Sequence, residues 1–126
     1  MDKRGNDLLG EFSFRVRASI TRTTRKSKFS REQIADKMSE LMGRKITAST
    51  IYNFSSESHH DHRFPAELLP FWIKATGDNS ILELLAEASG CQVLSGQEAL
   101  YADLARLDRQ AEEIKRKRAV IRSKLP

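Results

Sequence analysis

The stretch GRKITASTIYNF, residues 43–54, decides how the chain is read. Gly43 is the residue type that ends a helix in the left-handed conformation. Thr47 offers a side-chain oxygen to cap the next helix, expected over roughly residues 48–57. Ile46, Ile51 and Phe54 then supply an apolar inner face, with steps of five and three residues. The outer face is small, polar and uncharged: Thr47, Ala48, Ser49, Tyr52, Asn53 and Ser56, with Thr50 beside them. Such a face suits either plain solvation or the reading of base edges. Asn53 has the amide geometry for adenine, Ser49 and Thr50 could reach bases or phosphates, and Ala48 could meet a thymine methyl.

The flanking segments follow a helical period. Residues 6–26 place Leu8, Leu9, Phe12, Val16 and Ile20 on one expected stripe. FSREQIADKMSELMG carries Ser30 with Gln33 three residues on, the capping-box spacing, and Ile34, Met38, Leu41 and Met42 as its buried stripe. Pro65 fits the first turn of a fourth helix reaching about Thr76, which Pro70 is expected to kink or shorten. SILELLAEASG closes a fifth helix at Gly90, and Trp72 falls among the core candidates. The chain therefore reads as all-α, with five short helices over residues 6–94 and one long helix over 97–125.

Of the 126 residues, 31% are charged and 39% apolar, and the formal net charge is +5. That is a globular composition whose basic excess favours a polyanionic partner. No apolar run nears the roughly 18 residues of a membrane span, and MDKRGNDLLGEF lacks the apolar core of a signal peptide. A cytoplasmic protein without a membrane partner is expected. The single cysteine, Cys91, reads as a small buried residue after a helix end.

Between Arg15 and Arg31 the chain holds Arg15, Arg17, Arg22, Arg25, Lys26, Lys28 and Arg31, and no acid. This run is either a solvated face suiting a helix C-terminus or a surface for phosphates. Arg25, Lys26, Lys28, Arg31 and Gln33 are the phosphate candidates there. Arg44 and Lys45, just before the third helix, are the others.

SREQIADKMSELMGRKITASTIYNF, followed by RFPAELLPFWIKATGDNSILELLAEASG, resembles the small phage and prophage helix-turn-helix regulators of the lambda repressor, Cro and CII type. The likeness covers about residues 8–94. It implies a small alanine, Ala35, that lets two helices approach, and a second helix that enters the major groove. It also implies sequence-specific binding of double-stranded DNA and control of transcription. The family places five residues between that alanine and the apolar residue after the turn. Here Ala35 and Ile46 are eleven apart, so either the first helix or the turn must be longer.

His59, His60 and His62 surround Asp61. Imidazole and carboxylate are good zinc or nickel ligands, but structural sites draw ligands from separated elements. A solvated loop is expected, with no metal. No nucleophile–base pair, phosphate-cradling glycine loop or HExxH pattern occurs. Neither an enzyme nor a cofactor is expected.

Leu100, Leu104, Leu107, Ala111, Ile114, Arg118, Ile121 and Leu125 follow a 4-3-4-3-4-3-4 spacing. That is a heptad seam whose one polar member is Arg118. A parallel pair would oppose Asp103 to Asp108 and Lys117 to Arg122. An antiparallel pair would match Asp103 with Lys124, Asp108 with Lys115 and Tyr101 with Arg122. An antiparallel homodimer is therefore expected, and it would present two copies of the third helix to a palindrome. Two other functions stay open: a DNA-packaging or transposition accessory protein using the same motif, and a protein-interaction adaptor that no longer binds DNA.

Overall fold

The computed structural model describes residues 7–56, 58 and 62–126, and every regular element among them is helical. In chain order these are α1 (Leu8–Lys26), α2 (Arg31–Met42), α3 (Ala48–Ser55), a 3-10 turn (Ala66–Leu68), α4 (Leu69–Thr76), α5 (Ser80–Ala88) and α6 (Gln97–Lys124). The chain divides after Cys91 into two units, the second holding α6.

The helix ends are set by single side chains. Asp7 caps α1 by accepting the Gly10 N–H at 2.9 Å, so α1 begins at Leu8 and not at residue 6. Ser30 and Gln33 form the expected capping box, with bonds of 3.1 and 2.8 Å. Gly43, at φ +68°, closes α2 in a conformation that costs other residues a clash. Pro70 does not kink α4. It lies in the first turn, where its missing N–H would have had no helical partner. The 3-10 turn after Pro65 takes the place of the expected first turn.

α2 packs on α4 and α3, and α1 packs on α3 and α5. Trp72, Ile20, Ile34, Met38 and Ile51 are fully buried between them. Phe64, from the loop before α4, meets Phe54 and Trp72 edge-on at 5.4 and 5.9 Å, a favoured aromatic geometry. Three expectations of burial are corrected. Leu8 and Leu9 are exposed, because α1 is about 28 Å long while α3 and α5 span only about 12 and 14 Å. The contact is made by the second half of α1, where Ser19, Ile20 and Thr23 are buried. Leu41 is also exposed. So is Cys91, whose N–H turns back to the Ala86 carbonyl at 2.7 Å as the chain leaves α5.

α6 is one helix of 28 residues with no buried side chain. Two ion pairs decorate it, Asp103–Arg106 at 3.2 Å and Glu113–Lys117 at 3.3 Å. Both are solvent-exposed pairs within one helix, each worth a few tenths of a kcal/mol.

Candidate nucleic-acid interface

The site is built on the junction between α2 and α3. The Ser39 hydroxyl accepts the N–H of Ile46 at 2.9 Å. Its own proton is shared between the carbonyls of Ala35 and Ile46, at 2.8 and 3.1 Å. Ile46 is thereby tied to α2 just before α3 begins. Ile46, Ile51 and Phe54 are all buried, so α3 is held by its inner face. The long gap from Ala35 to Ile46 has two parts: α2 continues to Met42, and the turn runs from Gly43 to the Thr47 cap. From the sequence alone Ser39 carries no such signal, because a serine in the last turn of a helix reads as a solvated residue.

Thr47, Ser49 and Tyr52 are exposed on the outer side of α3, and Ala48, Thr50, Asn53 and Ser56 are half-buried. Thr47 accepts the Thr50 N–H at 3.2 Å, and the two hydroxyls lie 3.0 Å apart. Thr50 is thus drawn toward the cap, which leaves Ser49, Tyr52 and Asn53 as the polar groups farther along. Ser56 lies one residue past the helix, whose last turn ends at Ser55, two residues earlier than expected. α3 itself has no charged side chain.

Cations reach this face from neighbouring elements. The Arg31 guanidinium, at the start of α2, lies 5.1 Å from the centre of the Tyr52 ring. Such a cation–π contact is worth about 0.5–1 kcal/mol at an exposed site. It joins the start of α2 and the outer face of α3 into one surface. Gln33 spends its amide oxygen on the Ser30 cap, which leaves its NH2 group to donate elsewhere. Arg44, Lys45 and Lys28 are exposed.

Beside α3, a groove is lined by Arg17, Arg22, Arg25, Lys26 and Ser55, and no carboxylate is among the described residues that line it. Arg25 and Lys26 were expected as phosphate contacts. Arg17 and Arg22 were visible only as part of a basic run. Their helical register is the signal, since Arg17 and Arg25 share the stripe 17–21–25 and Arg22 and Lys26 the neighbouring stripe 18–22–26. One acid, Asp78 in the turn before α5, acts on Arg22 of this group. Burial by itself pushes the Asp78 carboxyl up. The Ser80 N–H at 2.8 Å and the Ser80 hydroxyl, with the charge of Arg22, outweigh it and hold the carboxyl below its ordinary value.

Of the histidine cluster, His62 is exposed, while His59, His60 and Asp61 lie outside the described residues. In the second unit the seam side chains of α6 are exposed, the leucines and isoleucines between 54 and 68%. Ala111 and Arg118 are exposed with them. Among the described residues, no helix is long and apolar enough to cross a membrane. Compared with known proteins, the chain matches no family model, no curated protein and no solved structure.

Proposed function

We propose that this protein binds double-stranded DNA, with α2, the turn and α3 acting as a helix-turn-helix. It works as a dimeric transcriptional regulator of the phage-repressor kind in the cytoplasm. The observation that carries this reading is the Arg31 guanidinium on the Tyr52 ring, 5.1 Å from its centre. It gives an uncharged helix face a cation placed beside it rather than on it. An α-helix with its side chains is about 10–12 Å across, which the major groove, about 12 Å wide, admits. Ser49 and Asn53 would meet base edges. Arg31, Arg44, Lys45 and the α1 groove would hold phosphates on either side. The four cations among the described residues of that groove support the same reading.

α6 supplies the second copy. Its exposed heptad seam is narrow, as coiled-coil seams are, and its flanking charges are complementary only in the antiparallel arrangement. Two copies of a weakly charged reading helix gain affinity by being tethered, and they read a two-fold site.

The experiment is selection of binding sites from random duplex DNA, followed by a salt titration on the selected site. Enrichment of a palindrome, with affinity falling as salt rises, is the expected result. If no sequence is enriched and duplex DNA is not shifted even at low salt, the reading is wrong.

A further inference from the structure

Between α1, α5 and the loop before α4 lies a cavity of about 200 Å3. Its walls include Phe12 and Val16 of α1, Phe54 of α3, Phe64, Leu69 of α4 and Leu85 of α5. The pocket opens to solvent beside Leu9 and Arg63, both exposed, and its volume leaves room for a ring or a short aliphatic chain. Water gains little inside such walls, because they offer it few partners.

Two charged residues line the cavity among the described residues, and both are arginines: Arg17 and Arg63. The Nε of Arg17 is shielded from solvent and makes no hydrogen bond. A shielded donor without a partner is costly, and a charged one more so. An apolar pocket whose charged lining, among the described residues, is guanidinium only, one group with an unused donor, is complementary to a molecule with an apolar body and a single anionic end.

We propose that this cavity is a ligand site for an amphipathic monoanion, a short aliphatic or aromatic carboxylate whose body fills the chamber and whose carboxylate pairs with Arg17 and Arg63. Guanidinium groups bind carboxylates in two-pronged pairs that are stronger than neutral hydrogen bonds. Arg17 also lines the basic groove beside α3, so it stands between the two sites. The inference concerns the cavity alone and holds whether or not the protein binds DNA.

The test uses the full chain with octanoate, octan-1-ol and octylammonium as probes. Trp72, the single tryptophan, is the reporter: Phe64 lines the cavity and touches its ring. Octanoate is expected to shift Trp72 emission saturably and to bind at least about tenfold tighter than octylammonium. Arg17→Gln is expected to weaken octanoate about tenfold and to leave octan-1-ol within about twofold, which also shows that the variant still folds. Arg63→Gln provides a second, independent loss at the exposed end. Equal binding of octanoate and octylammonium overturns the proposal. So does the absence of any saturable response up to about 10 mM octanoate, and so does an Arg17→Gln, Arg63→Gln double variant that binds octanoate unchanged.

Discussion

The Ser39 hydroxyl holds the backbone of Ile46, accepting its N–H at 2.9 Å across seven residues of chain. This bond closes the turn that sets how α3 leaves α2. In Ser39→Ala the Ile46 N–H, in a buried residue, loses its partner. The expected cost is about 1–2 kcal/mol. For a unit of this size each kcal/mol lowers Tm by about 4–8 °C. Leu41→Ala, on the exposed side of the same helix, should stay within about 0.5 kcal/mol. Thermal unfolding followed by circular dichroism checks both. Equal melting points for the two variants would show that the Ser39 bond contributes nothing.

Arg31 and Asn53 should fail differently if α3 reads DNA. Arg31→Ala is expected to weaken binding to all duplexes alike and to reduce the salt slope by about one, because it removes one phosphate contact. Arg44→Ala should behave the same way. Asn53→Ala should relax the preference at one base position at a cost of about 1–3 kcal/mol on the preferred sequence. Competition assays on the selected site and on single-base variants separate the two patterns. An Arg31→Ala loss confined to one base position would mean that Arg31 reads a base and not the backbone.

Tyr52→Phe is the companion variant. The ring keeps its face toward Arg31, so duplex affinity should change by less than about threefold, whereas Tyr52→Ala removes the support for the guanidinium. Equal loss in Tyr52→Phe and Tyr52→Ala would assign the contact to the hydroxyl, which both variants lack, and not to the ring face.

The helix ends were legible because each is written in one or two residues. Ser30 with Gln33, Gly43 and Thr47 state local chemistry that does not depend on the rest of the chain. The inner face of α3 was legible for the same reason, as spacing alone puts Ile51 and Phe54 together. Other features depend on distances between elements. Leu8 and Leu9 fit the apolar stripe of α1, but their exposure follows from the shortness of the helices that α1 packs on. The Arg31–Tyr52 contact joins residues far apart in sequence, and only the turn tied by Ser39 brings them together. Pro70 shortens α4 to a start at Leu69 and does not kink it, and the sequence does not tell the two apart because a proline in the first turn and one in the interior look alike until the helix start is known.

Asp78 links α5 to the basic side of α1, and its titration fixes a pH window. The carboxylate accepts the Ser80 N–H at 2.8 Å at the start of α5. Its pKa in the folded protein lies below the ordinary 3.8, so the ionised form is favoured by folding. The contribution is therefore complete above about pH 4 and is lost as pH falls through the folded value. Between pH 5 and 7 the melting difference between the wild type and Asp78→Asn should stay constant, and it should shrink below about pH 4. Paired melts across that range are the check. A difference that grows toward low pH would reverse the sign and remove Asp78 from the helix start as a stabilising group.

The orientation of an α6 pair can be decided by one charge. In an antiparallel pair Asp108 faces Lys115 of the other copy, and the two-fold symmetry makes this contact twice. In a parallel pair Asp108 would face Asp103. Asp108→Lys therefore acts in opposite directions. It sets like charges together in the antiparallel dimer and relieves a repulsion in the parallel one. Exposed pairs are worth less than about 1 kcal/mol each, so two inverted contacts should weaken an antiparallel dimer by about 1–2 kcal/mol, about fivefold to thirtyfold in Kd. The double swap Asp108→Lys, Lys115→Asp should restore it. Arg118→Leu should tighten the dimer in either case, because it replaces a charge at the seam with an apolar side chain that packs on Leu107 in the antiparallel layer. Sedimentation equilibrium at low salt measures all four proteins. Tighter association of Asp108→Lys would establish the parallel pair, and a wild type that stays monomeric at high concentration would leave the exposed seam without a second copy.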